Sequence, residues 1–229
     1  MKAMIFAAGR GTRMSSLKGI SMPKVLLPVH GQPLLVHLLS RFKKAGIQNI
    51  VINFSSYSTS IPEVIGDGSA FGVSITYSEE KEPLETGGAL LKALPLLGED
   101  PFIAVSGDLW TDYPFEQLPS TLEGLAHLVL NDTLPSQKGD FSLCGHRLNN
   151  YGVSLLNFAG IGVYHPDLVR AHAPGVFKIA PLLQEAALQG AVTGEYYSGL
   201  WFNIGTPDTY FKALGRIPNI PLSFSQNPV

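Results

Sequence analysis

The sequence lacks several features that would mark large classes of protein. It has a single cysteine, Cys144, so no internal disulfide can form, which suits a reducing compartment. It has no basic excess: sixteen Lys and Arg stand against eighteen Asp and Glu, for a net charge of -2. A nucleic-acid backbone needs clustered positive charge, so no polynucleotide partner is expected. No segment approaches the ~18 apolar residues of a membrane span, so no membrane partner is expected either. The apolar run near the N-terminus is too short for a secretory h-region and ends in Gly9 and Arg10. A cytoplasmic location is the expectation. Pro/Gly/Ser-rich linkers and internal repeats are absent as well. The 229 residues, 45% hydrophobic, suffice for one sizeable core. The expected division is one domain over 1–216 and a C-terminal tail over 217–229, where three prolines interrupt any helical period.

What is present alternates strand and helix. Ala3 to Ala8 is a continuous apolar run, as expected of a strand buried on both faces. Leu34, Leu35, Leu38, Leu39 and Phe42 recur at helical spacing, with Pro33 at the start and Gly46 just past the end. Strands follow at Asn49 to Asn53, Val73 to Tyr77 and Phe102 to Ser106. Helices are expected around Ser60 to Ile65 and from Thr86 to Leu97. The alternation predicts an α/β fold: a mostly parallel central sheet with helices on both faces. Beyond it, His127 to Leu130 and Ala159 to Tyr164 read as strands, and Asp140 to Leu156 as short strands and turns. Ile179 to Gln189 reads as helix, and Thr209 to Leu214 begins a closing helix.

Five motifs carry chemistry. Ala7 to Met14 (AAGRGTRM) directly follows the first strand. Gly9 and Gly11 let backbone N–H groups approach phosphate oxygens, and Arg13 adds a forked cation. The third glycine of a dinucleotide fingerprint and the Gly-Lys-Ser/Thr of a Walker loop are both missing. Pro23 to Val29 (PKVLLPV) sets Lys24 at the edge of a core, where its amine can enter a cleft. In Glu82 to Leu94 (EPLETGGALLKAL), Gly87 and Gly88 open a helix where a flat ring could approach, and Thr86 is a candidate N-cap. Val105 to Tyr113 (VSGDLWTDY) ends a strand in Gly107-Asp108, where a carboxylate is well placed for Mg²⁺; Asp112 is a weaker candidate. In Gly199 to Tyr210 (GLWFNIGTPDTY), Thr206 and Pro207 read as N-cap and first helical residue. Asn203 precedes them as a polar side chain in an apolar run, either hydrogen-bonded structure or a ligand.

The order of these motifs resembles the sugar-phosphate nucleotidyltransferase family, from Met1 to about Leu214. That family joins a sugar 1-phosphate to a nucleoside triphosphate and releases pyrophosphate, on a Rossmann-like, glycosyltransferase-A-like α/β fold. Within it the chain looks most like the N-acetylmuramate 1-phosphate uridylyltransferases of peptidoglycan recycling, which implies UTP, N-acetylmuramate 1-phosphate and Mg²⁺. The resemblance implies that Gly9, Gly11, Thr12 and Arg13 wrap the triphosphate, and that Lys24 neutralises the α-phosphate. It implies Gly87 and Gly88 near the base, Asp108 and Asn203 on Mg²⁺, and Asp140 in the sugar pocket. Lys24, Arg13 and Asp108 would be the catalytic set. Two features depart from the family pattern. Ser15-Ser16-Leu17-Lys18 replaces the usual Arg-Pro-Leu-Thr, and Asn203 stands where aspartate is usual. The alternatives are another sugar 1-phosphate, dTTP or GTP as donor, or a non-catalytic sensor on the same fold.

Overall fold

The structure, a computed structural model, describes residues 1–11, 22–132, 138–152 and 155–218. The chain begins with β1 (Ala3–Phe6), the short pair β2 (Pro28–Val29) and β3 (Gln32–Pro33), and α1 (Leu34–Lys44). Next come β4 (Asn49–Ser55), α2 (Ser60–Ile65), β5 (Ser74–Glu80), α3 (Glu85–Leu97) and β6 (Phe102–Ser106). The second half holds β7 (Leu109–Thr111), β8 (Ala126–Asn131), β9 (Ser142–Cys144), β10 (Arg147–Asn149), β11 (Asn157–Tyr164), α4 (Asp167–Arg170) and α5 (Ala180–Leu188). It closes with β12 (Val192–Tyr196), β13 (Trp201–Asn203) and α6 (Pro207–Leu214).

Nine strands form one sheet in the order β5-β4-β1-β6-β11-β8-β12-β10-β9. Only β11 and β10 run against the others, so the sheet is mostly parallel, as the alternating pattern predicts. Successive strand residues point to opposite faces. Ala3 and Ile5 of β1 therefore join Leu35, Leu38, Leu39 and Phe42 of α1 on one face. Met4 joins Leu90 and Ala93 of α3 and Leu183 of α5 on the other. Both faces are covered, which is why β1 and β6 read as unbroken apolar runs. A third cluster, with Leu27, Trp110, Ile204, Tyr210 and Ala213, seats α6.

Some local features differ from the expectations. Thr86 lies inside α3 rather than capping it; Leu84 holds the cap position without a side-chain bond. The Thr86 hydroxyl instead accepts from the Ile179 N–H at 3.0 Å, because residues 175–179 dock on this helix start. Pro33 does stand at the start of α1, in its N-cap position. Ile217 is buried, and its carbonyl accepts from His30 Nε2 at 2.8 Å, so packing extends into the segment expected to be tail. Residues 219–229 lie outside the described residues. Finally, β7 pairs with β13 in a separate two-stranded sheet, and β12 inserts beside β8; the sequence pattern predicts neither pairing. Thr206 does cap α6, in a reciprocal box with Thr209, and Pro207 is its first residue.

Candidate active site

The strand order reverses at β1, which lies between β4 and β6. In open α/β sheets, ligands bind beyond the carboxyl ends of strands at such a point. A cleft of about 730 Å³ opens there. Its walls are the loop after β1 (Ala7 to Arg10), the ends of β4 and β5 (Asn53, Glu80), the start of α3 (Glu85, Thr86) and the end of β6 (Ser106, Asp108). Phe6, Lys24, Val25, Pro83 and Val176 complete it.

Lys24 opens a single 3-10 turn, Lys24–Leu26, whose Val25 and Leu26 are buried. Those neighbours anchor the turn, and the lysine reaches the cleft, where its amine pairs with the Asp108 carboxylate. Both side chains are only 17% exposed. Asp108 gets there because Gly107 precedes it. The Gly107 N–H donates to the Phe6 carbonyl at 2.9 Å. A Cβ at that position would lie 2.6 Å from the same oxygen, so only glycine lets the end of β6 close on β1.

Gly9 lies on the cleft wall, and Gly11 takes a left-handed φ of 60° beside the Lys24 side chain. Thr12 and Arg13 fall outside the described residues, as does the divergent Ser15 to Lys18 stretch. Gly87 and Gly88 do not line the cleft; their bare Cα positions face residues 175–177. A Cβ on Gly87 would meet the Phe177 ring at 2.4 Å, and one on Gly88 the Gly175 carbonyl oxygen at 2.1 Å. Both amides donate to the Phe177 carbonyl. These glycines thus hold the 175–177 segment against α3, which sets Val176, 66% exposed, at the cleft. Asn203 lies opposite Leu109 in the β7–β13 ladder, and the Ile204 N–H donates to the Asp108 carbonyl at 2.8 Å. The backbone thereby sets Asn203 beside Asp108, although Asn203 is not a cleft-lining residue. Asp140 is not one either: its carboxylate accepts from the Phe158 N–H at 2.8 Å and fixes the start of β11.

Among the described residues, no three His, Cys, Asp or Glu side chains gather as a metal cage. Asp108 and Asn203 would supply one carboxylate and one amide oxygen. Such hard donors, with phosphate oxygens completing the shell, suit Mg²⁺.

Sequence reasoning missed the polar floor of the cleft. Asn53 Oδ1 accepts from the Ala7 N–H, and Asn53 Nδ2 donates to Glu80 Oε1, both at 2.7 Å. Glu80 Oε2 accepts from the Leu84 N–H at 2.8 Å. The Ser55 hydroxyl donates to the Ala8 carbonyl at 2.8 Å. Part of the signal was available: Asn53 and Ser55 are polar residues near the end of β4, a strand buried over most of its length. Glu85 follows Leu84 with a left-handed φ of 60°, a strained conformation for a residue with a side chain, at the cleft wall. Of a second polar cluster only Asp112 was read, as a weaker metal candidate. Tyr113 donates to Glu195 and Tyr197 to Asp112, and burial pushes both phenols above their ordinary range.

A mostly parallel α/β sheet thus carries an ion-paired lysine and aspartate beyond the carboxyl ends of its strands, at the switch point where such sheets bind ligands. The chain belongs to the nucleotidyl transferase family, whose profile matches residues 2–129. Over 217 residues it is 43% identical to the N-acetylmuramate alpha-1-phosphate uridylyltransferase of Neisseria meningitidis serogroup B, covering 90% of this chain and 94% of that one. The Caulobacter vibrioides protein of the same name is 29% identical over 94% of this chain and 96% of its own. A Bacillus anthracis crystal structure assigned as a glucose-1-phosphate thymidylyltransferase shares the fold, with a TM-score of 0.83 at 23% identity over 96% of this chain and 97% of that one.

Proposed function

We propose that the chain transfers UMP from UTP to N-acetylmuramate 1-phosphate and releases pyrophosphate, in the cytoplasm and in the service of peptidoglycan recycling. The observation that carries this is the Lys24–Asp108 pair at the carboxyl ends of the parallel strands. The 43% relative over nearly the full chain supports the choice of substrates.

The nucleophile is a phosphate oxygen of the sugar phosphate, already anionic at neutral pH. It needs no general base and no protein nucleophile. Attack at the α-phosphorus brings two anions together, so the chain's task is alignment and charge screening. Lys24 turns from Asp108 toward the α-phosphate, and Arg13 screens the leaving pyrophosphate. The backbone of Gly9, Gly11 and Thr12 wraps the triphosphate. Asp108 and Asn203 would hold Mg²⁺, which would supply charge neutralisation on the phosphates. Gly87 and Gly88 act at the base through the 175–177 segment that they hold. Asp140 in the sugar pocket rests on the family resemblance alone.

The test is a pyrophosphate-release screen of UTP, dTTP and GTP against several sugar 1-phosphates, with and without Mg²⁺. The expected result is Mg²⁺-dependent release with UTP and N-acetylmuramate 1-phosphate. Preference for another pair would revise the substrates. Nucleotide binding without release under any pairing would make the chain a sensor.

A further inference from the structure

The two metal-ligand candidates sit at one end of a short ladder. β7 follows Asp108, β13 ends on Asn203, and the two strands share three residue pairs. Two strands alone are marginal in water, and no hairpin turn joins these two to fix their register. Groups at the other end of the ladder fix it. The Leu200 carbonyl accepts from the Asp112 N–H at 3.1 Å and from the Thr111 hydroxyl at 3.0 Å. Beyond that point two phenols cross between the segments that leave β7 and β12. Tyr197 donates to the Asp112 carboxylate, and Tyr113 donates to Glu195. Each segment therefore gives one bond and accepts one. The two rings meet edge to face, with centroids 5.1 Å apart. Gly199 closes the turn over the first bond: a Cβ there would lie 2.9 Å from an Asp112 carboxylate oxygen and 2.1 Å from the Tyr197 hydroxyl.

We infer that the crossed bonds Tyr197–Asp112 and Tyr113–Glu195 clamp the register of β7 and β13 and so set Asn203 beside Asp108, which makes Asp112 and Tyr197 positioning residues for the metal rather than ligands of it. The ladder carries the constraint. Trp201 opposite Thr111 leads through Phe202 and Trp110 to Asn203 opposite Leu109. One residue further, the Ile204 N–H donates to the Asp108 carbonyl at 2.8 Å. A slip of one residue would turn Asn203 to the other face. Asp112 follows Asp108 closely in the chain, but its carboxylate is engaged by Tyr197 at the far end of the ladder. The role rests on the metal reading above. It makes the clamp a determinant of metal affinity and leaves metal-free nucleotide binding untouched.

Mn²⁺ is the probe, titrated by electron paramagnetic resonance against the protein with UTP present, and a protein-free control subtracts the Mn²⁺ held by free UTP. UTP affinity without metal, hydrogen exchange at the Ile204 amide and thermal melting accompany it. Tyr197→Phe removes the donor of the first bond, and Asp112→Ala removes its acceptor. Each is expected to weaken Mn²⁺ binding on the order of tenfold, the low end of what groups behind metal ligands contribute. Exchange at Ile204 should quicken, and UTP affinity without metal should stay within about twofold. Asp112→Asn keeps an acceptor for Tyr197, so its Mn²⁺ affinity and Ile204 exchange should stay near wild type. Its melting temperature should still fall, because Arg41, half-buried over the Trp110 ring, loses an attracting carboxylate. Tyr113→Phe cuts the second bond and leaves Asp112 paired; it carries the test, with the same losses expected, if the first two variants do not fold. Lower melting with unchanged Mn²⁺ affinity and Ile204 exchange overturns the clamp alone. So does a loss in Asp112→Asn equal to that in Asp112→Ala, because the charge of Asp112 would then be the agent. A wild type that takes up no Mn²⁺ beyond the control overturns the metal reading and the positioning role with it.

Discussion

Lys24 is held at the cleft by its pairing with Asp108. That contact preorganises the amine and keeps a largely buried carboxylate in place. Lys24→Ala should cut pyrophosphate release on the order of 10²-fold or more, the usual loss when one transition-state charge contact goes. The fold should persist, since the residues that seat the turn are Val25 and Leu26. Steady-state turnover with a thermal melt checks both halves; near-normal turnover removes Lys24 from the mechanism. Asn203 allows a finer test. Asn203→Asp adds negative charge beside Asp108 and should lower the Mg²⁺ midpoint, with little change in rate at saturating metal. A melting shift with an unchanged midpoint would sink the ligand assignment and leave Asn203 as backbone support.

Helix α3 is built around the absence of two side chains. The 175–177 segment approaches so closely that a methyl group at position 88 would overlap the Gly175 carbonyl. Backbone has to move to accommodate it. Gly88→Ala should therefore destabilise by about 1–3 kcal/mol despite alanine's better helix propensity. For a chain of this size that is a fall of several degrees in melting temperature. It should also weaken nucleotide binding, because Val176 rides on the displaced segment; a melt like wild type's would show that the segment yields freely. At the other end of the chain, Thr206→Ala removes the reciprocal cap of α6. A loss of about 1 kcal/mol in a denaturant titration is expected. The helix starts show how far sequence carried. Thr206-Pro207 was legible because its cap bond is local. Thr86 was not, because its partner, Ile179, is 93 residues away.

Across the whole molecule, half-buried imidazoles set a pH limit. Burial lowers the pKa of His127 and of His37. Nε2 of His127 has no hydrogen-bond partner among the described residues. The unfolded chain takes up these protons near the ordinary value of about 6.5, while the native state resists them. The unfolded state therefore binds more protons below that value. Stability from these groups is full above about pH 6.5 and declines as pH falls toward the lowered native values. Denaturant titrations between about pH 5 and pH 8 should show a shallower decline for His127→Phe than for wild type. Parallel slopes would remove His127 from the account.

The amino-acid pattern alone determined the fold class, the helices and strands of the first half, and the position of Lys24 and Asp108 at strand and turn ends. These are consequences of local period and punctuation: apolar runs of strand length, glycine after a strand, proline before a turn. Only the tertiary structure decided that β13 returns beside β7 and brings Asn203 to Asp108. Only it turned Gly87 and Gly88 toward the 175–177 segment, and only it joined Asn53 to Glu80 beneath the loop after β1. Each of these joins residues from separate elements, and the joining depends on strand order and register, which are set by burying both faces of one sheet. Sequence period says which face of a strand is apolar, but a buried asparagine and a buried glutamate find each other only when β4 and β5 lie side by side.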